Sequence, residues 1–135
     1  EVVTYEVDDE FADVARENMR VAGVEDRVDV RTGDVTEAAE DLAPATFDVL
    51  TLDTGDAPAV VRRAPDLLDR GGFLSVYSPF VEHSREAVEA ARAAGMAEIE
   101  TLETIQRQMD FGDRGSRPST RGVGHTGYLT FARRP

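Results

Sequence analysis

The chain of 135 residues contains no cysteine, which excludes a disulfide scaffold, thiolate zinc sites and thiol catalysis. It also contains no lysine: all 15 of its basic residues are arginine. Its two histidines, His83 and His125, lie far apart along the chain and leave no imidazole cluster for a metal. No apolar run approaches the roughly 18 residues that a bilayer span requires, and no signal-peptide pattern opens the chain. These absences predict a soluble, cytoplasmic protein without metal or membrane. The length suits one domain with one core, and 41% hydrophobic with 31% charged residues is a globular composition.

What is abundant is acid. Twenty-seven Asp and Glu give a net charge of −12. With the missing lysine and a core rich in Ala and Val, this reads as adaptation to a salty cytoplasm. An acidic protein from a GC-rich genome would carry the same marks. The charge is uneven: residues 1–106 hold 9 Arg and 25 acids, whereas residues 107–135 hold 6 Arg (Arg107, Arg114, Arg117, Arg121, Arg133, Arg134) and 2 acids (Asp110, Asp113). A basic tail on an acidic body points to a face that meets a polyanion, and on charge alone equally to a solvated tail.

Periodicity predicts strands alternating with helices. Val2–Glu6 is a β run, and Asp8 or Asp9 is a good N-cap for a helix stopped by Gly23. Arg27–Arg31 alternates as a strand and breaks at Gly33-Asp34, and a short helix follows over Thr36–Leu42. Phe47–Leu52 is a strand, Pro58–Leu68 a helix, Arg70-Gly71-Gly72 a turn and Phe73–Tyr77 a strand. Glu82–Ala94 is a helix closed by Gly95. Strands near Glu98–Arg107 and Gly127–Arg133 come without a helix between them, joined by a Gly- and Arg-rich loop over 112–124. The pattern predicts an α/β fold with a mostly parallel, Rossmann-like sheet and an antiparallel C-terminal hairpin.

Three carboxylates, Glu6, Asp34 and Asp53, fall at the carboxyl ends of predicted strands, where open parallel sheets bind ligands. One such group can accept both hydroxyls of a ribose and another the exocyclic amine of an adenine, so the pattern fits a nucleoside-containing ligand. Loop-end aspartates are also ordinary N-caps. Gly122-Val123-Gly124-His125-Thr126-Gly127 matches G-x-G-x-x-G, but it follows an Arg/Pro loop and runs into a strand. It therefore lacks the helix N-terminus of a dinucleotide fingerprint.

The order Tyr5-Glu6, Gly33-Asp34, Leu52-Asp53, Gly71-Gly72-Phe73-Leu74, Ser78-Pro79 resembles the class I S-adenosylmethionine-dependent methyltransferases. The closing stretch from Arg117 to Ala132, with Arg117-Pro118-Ser119-Thr120-Arg121 and His125-Thr126-Gly127-Tyr128-Leu129, resembles the tRNA (adenine-N1)-methyltransferases that act on T-loop adenines 57 and 58. The resemblance implies S-adenosylmethionine as cofactor, tRNA as partner and a homo-oligomer, a tetramer in the family. It implies that Glu6 holds the cofactor's ribose, that Asp34 and Val35 border its adenine, and that Asp53 is the catalytic aspartate, also near the cofactor. Tyr77-Ser78-Pro79 would line the target-base pocket, although a strand-end Pro is also ordinary punctuation, with Arg117, Arg121 and His125 on tRNA. With the composition, it implies a halophilic, archaeal-type protein.

The family follows its aspartate with an aliphatic residue and a Pro-rich turn, whereas this chain reads Asp53-Thr54-Gly55-Asp56-Ala57-Pro58. Residues 1–135 are expected to be the C-terminal catalytic domain of a longer protein, without the first strand and glycine-rich loop of the fold, and so to bind cofactor weakly or not at all alone. Two other functions share these features: a protein-L-isoaspartate-type methyltransferase, which gives no reason for the basic tail, and a non-catalytic RNA-binding subunit. His125 reads also as a structural histidine and His83 as a surface residue. Glu98, Glu100 and Glu103 read as a solvated edge.

Overall fold

The computed structural model describes residues 1–121 and 126–135, which form two compact units, Glu1–Ala43 and Pro44–Pro135.

The first unit is built from β1 (Val2–Glu6), α1 (Asp9–Ala22), β2 (Val28–Thr32) and α2 (Val35–Asp41). Both ends of α1 are set by local chemistry. The Asp8 carboxylate accepts from the amides of Glu10 (2.9 Å) and Phe11 (3.1 Å), satisfying two of the amides that an α-helix leaves orphaned. Gly23 takes the left-handed conformation (φ 67°), and the Val24 amide reaches back to the Met19 carbonyl at 3.0 Å. β1 and β2 pair in parallel from Val2↔Val28 to Glu6↔Thr32, and α1 is the crossover that a parallel pair requires. Ala12 and Ala39 are fully packed and Val30 nearly so.

The second unit holds β3 (Phe47–Leu52), α3 (Ala57–Leu67), β4 (Leu68–Ser78), α4 (Val81–Ala93), β5 (Ala97–Glu103), β6 (Met109–Gly112), β7 (Gly115–Pro118) and β8 (Tyr128–Arg133). Four of these strands make a sheet in the order β3-β4-β8-β5. β3 and β4 are parallel, and β8 runs antiparallel between β4 and β5. The core lies between this sheet and the paired helices α3 and α4. It consists of Leu52, Val60, Val61, Ala64, Leu67, Leu68, Leu74, Val76, the α4 alanines 87, 90 and 91, and Ala132. Alanine on α4 lets the helix axis approach its neighbours closely. The buried Thr130 hydroxyl of β8 is joined at 2.8 Å to the hydroxyl of Thr101 on the neighbouring strand β5.

The expected α/β sheet with parallel strands and an antiparallel C-terminal pair is present. Among the described residues β1 pairs with β2 alone and β3 with β4 alone. Two local expectations need correction. The Arg70-Gly71-Gly72 turn lies inside β4 rather than before it: Leu68 already pairs with Phe47, and the pairing resumes only at Val49↔Phe73. Gly71 has φ 80°, and a Cβ on Gly72 would lie 2.9 Å from the Asp69 carbonyl oxygen, so the excursion requires both glycines. Likewise the segment assigned to a long strand and a loop contains a separate hairpin. β5 stops at Glu103, and β6 and β7 pair around the two-residue turn Asp113-Arg114, with Gly115 at φ 129°. β5 is one edge of the sheet, where Glu98, Glu100 and Glu103 are exposed as expected.

Candidate active site

In the first unit, β1 ends at Glu6, whose carboxylate oxygen Oε1 accepts from the Asp8 amide at 3.0 Å. The Glu6 backbone carbonyl accepts from the Gly33 amide at 2.9 Å, which draws the end of β2 against the end of β1. Gly33 (φ 148°) turns the chain there, and Asp34 follows as the N-cap of α2. Its Oδ1 accepts from the Thr36 amide (2.7 Å) and hydroxyl (2.6 Å). Those bonds, the hydroxyl first and the backbone second, hold the Asp34 carboxyl below its ordinary value. Val35 is half-buried at the first turn. The structure therefore brings Glu6, Asp34 and Val35 to the carboxyl end of one strand pair. It also gives Asp34 the capping role that its loop position allowed.

That cap carries a pH signature. Because the folded carboxyl is depressed, its contribution to stability is complete above the ordinary value of 3.8 and disappears as pH falls through the lower, folded value. Asn caps nearly as well and does not titrate. Urea unfolding of the parent and of Asp34→Asn from neutral pH to about pH 2 is expected to show parallel stabilities down to the ordinary carboxyl value and divergence below it. Curves that stay parallel throughout would show that the cap is not formed in solution.

In the second unit, Leu52 pairs with Val76, and Asp53 and Tyr77 each lie one residue beyond that pair. Asp53 is exposed. The Thr54-Gly55-Asp56 segment makes a tight turn into α3: the Thr54 hydroxyl accepts from the Asp56 amide and the Thr54 carbonyl from the Ala57 amide, both at 3.3 Å. Asp56 stands at the N-cap without a side-chain bond to the helix. Ser78, the last residue of β4, is buried and pairs with Tyr128. Tyr77 is 40% exposed, and a Cβ placed on Gly127 would overlap its ring. His83 is exposed, its ring edge-on to Phe80 at 5.5 Å. Asp53, Tyr77, Ser78, Gly127 and Tyr128 thus meet at one edge of the four-stranded sheet. The Tyr77–Gly127 contact was not expected from the sequence.

Arg117 sits on β7 opposite Asp110, and Arg121, with 82% of its side chain exposed, pairs with Asp110 at 3.5 Å. His125 lies outside the described residues. No group of three or more His, Cys, Asp or Glu suited to a metal occurs among the described residues, and no described helix is long and apolar enough to cross a membrane.

The family model of the tRNA methyltransferase complex GCD14 subunit matches residues 1–115. The chain belongs to that family. The GCD14-family match takes in Glu6, Asp34, Val35, Asp53 and Ser78 and stops before Arg117, Arg121 and His125. The chain is 33% identical, over 157 aligned residues, to the tRNA (adenine(57)-N(1)/adenine(58)-N(1))-methyltransferase TrmI of Methanocaldococcus jannaschii, covering 99% of this chain and 56% of that protein. Among solved structures it is similar to an S-adenosylmethionine-dependent O-methyltransferase of Thermotoga maritima (TM-score 0.84, 27% identity, 98% of this chain and 49% of that one). It is also similar in fold to the tRNA (m1A58) methyltransferase TrmI of Aquifex aeolicus (TM-score 0.82, 22% identity, 98% and 53%). The chain spans about half the length of these relatives. Its fold is that of the class I methyltransferases, as the order of motifs implied.

Proposed function

We propose that the protein containing this chain transfers a methyl group from S-adenosylmethionine to N1 of adenine in the tRNA T-loop, and that residues 1–135 are part of its catalytic domain. The observation that carries this reading is Asp53 standing beside Tyr77 and Ser78 at the edge of the β3–β4 pair, in a chain of the GCD14 family.

The first unit suits the cofactor. Glu6 offers a carboxylate oriented through Oε1 by the Asp8 amide, which suits the vicinal hydroxyls of a ribose. Asp34, kept ionised by Thr36, is an acceptor-only group that suits an adenine amine, with Val35 against the ring. The bound cofactor would supply an electrophilic methyl group on sulfur. The chain's own residues have a positioning task. N1 of adenine lies on the Watson–Crick edge, so the base must leave its stack to be reached. N1 is unprotonated at neutral pH and attacks without a base, and the ring becomes positive as the N–C bond forms. Asp53, accepting from the N6 amine, orients the base and opposes that growing charge.

The same proposal assigns Arg117, Arg121 and His125 to tRNA contacts, places the protein in the cytoplasm as a homo-oligomer, and reads its −12 charge as salt adaptation. Filter binding of T-loop tRNA across a salt series tests the arginines. Arg117→Ala and Arg121→Ala in the complete protein are each expected to weaken binding and to lower the salt slope by about one. An unchanged slope in both would remove the hairpin region from the tRNA footprint. Production of 1-methyladenosine in T-loop tRNA tests the activity, and methylation of an isoaspartyl peptide instead would replace this reading.

A further inference from the structure

Gly127 closes the G-x-G-x-x-G pattern that cannot be a dinucleotide fingerprint, and the structure supplies another reason for a glycine there. Tyr77 is directly opposite Leu129 in the antiparallel β4–β8 ladder. Gly127, two residues before Leu129, is therefore its diagonal neighbour on the same face, a separation that aromatic side chains bridge. Leu74, Val76 and Ser78 point into the core, so Tyr77 stands on the other, accessible face. A Cβ on Gly127 would overlap Cε2 and Cζ of the Tyr77 ring and its hydroxyl oxygen Oη. No other described glycine has a side chain pressed this closely into its missing Cβ; the crowding at Gly72 comes mainly from backbone carbonyls and the bulge. The residue before Gly127 is tied to the sheet as well: the Thr126 hydroxyl donates to the Glu103 carboxylate at the end of β5 at 3.2 Å.

We infer that Gly127 is a positioning residue for the target base: by lacking a Cβ it lets the Tyr77 ring lie over its own Cα, beside Asp53, where the ring meets a face of the flipped adenine. This rests on the function proposed above. An aromatic ring covering a glycine on a neighbouring strand also protects the ladder, and that purely structural role would alter stability without altering turnover per folded molecule.

The test uses the complete protein with 19F-labelled tyrosine, the Tyr77 resonance being assigned by its loss in Tyr77→Phe. Gly127→Ala is expected to shift that resonance and to lower kcat on tRNA about ten- to a hundredfold, the scale of an ångström-sized misplacement. Affinity for S-adenosylmethionine should stay within about twofold, because neither Gly127 nor Tyr77 is among the residues assigned to the cofactor. Tyr77→Leu, which keeps the glycine and the fold, should cause a similar loss of kcat, and the double variant should lose little more than either single one. An unmoved Tyr77 resonance in Gly127→Ala overturns the steric argument. A moved resonance with parental kcat, or strictly additive losses, overturns the link to the base. Absence of tRNA methylation by the parent protein overturns the function instead, and the resonance shift still reports on the ring.

Discussion

Asp53→Ala in the complete protein is expected to lower kcat for methyl transfer to tRNA on the order of a hundred- to a thousandfold, with tRNA and cofactor affinities little changed. The magnitude follows from the charge balance of the reaction. The sulfonium charge leaves the cofactor and appears on the adenine ring, so a carboxylate aimed at N6 interacts more strongly with the transition state than with the neutral base. An interaction that grows along the reaction lowers the barrier rather than the KM, and removing one preorganised polar group of this kind typically costs about that factor. Asp53 is at the tip of β3, outside the packed core, where truncation leaves no cavity. Its loss should therefore not be a folding defect, and thermal unfolding should coincide with the parent's. Asp53→Asn separates two contributions, since its amide oxygen still accepts from N6 but carries no charge; an intermediate rate would apportion the effect. Full activity in Asp53→Ala with tRNA bound as before would show that methylation is carried elsewhere and that this chain acts as an RNA-binding subunit.

The features legible in the sequence are those decided within a few residues. Asp8 and Gly23 end α1 where expected because a cap is a bond between near neighbours. Glu6, Asp34 and Asp53 lie at or just past strand ends, as periodicity indicated, the ends at which open parallel sheets bind ligands. The start of β4 at Leu68 depends on pairing with Phe47 across a helix, so the local Gly-Gly signal read as a turn outside the strand. The β6–β7 hairpin was missed because Met-Asp-Phe-Gly and Gly-Ser-Arg-Pro lack the β-branched alternation that marks a half-buried strand; both of its strands are largely exposed. The Tyr77–Gly127 contact depends on the β4–β8 register, which joins residues fifty positions apart and leaves no trace in local composition.

That register determines which side chains of β4 face the core, and one comparison of two variants tests it. Leu74→Ala is expected to destabilise the second unit by about 3 kcal/mol, because Leu74 is fully buried in a strand flanked by β3 and β8 and its removal leaves a cavity that a two-sided sheet cannot close. Phe73→Ala removes a larger side chain from the next position, yet about 1 kcal/mol is expected. Phe73 is 50% exposed on the opposite face, where its main partner is the Arg133 guanidinium 5.4 Å from the ring centroid. Hydrophobicity and size alone would rank the two the other way, so urea unfolding of both variants reads the strand's phase directly. With a slope of about 2 kcal/mol/M, the Leu74 variant should unfold roughly 1.5 M earlier and the Phe73 variant about 0.5 M earlier. The reverse order would mean a one-residue slip, which would turn Tyr77 into the core and Ser78 out to solvent. The ring would then leave Gly127, and the edge beside Asp53 would lose the aromatic surface on which the base-positioning argument stands.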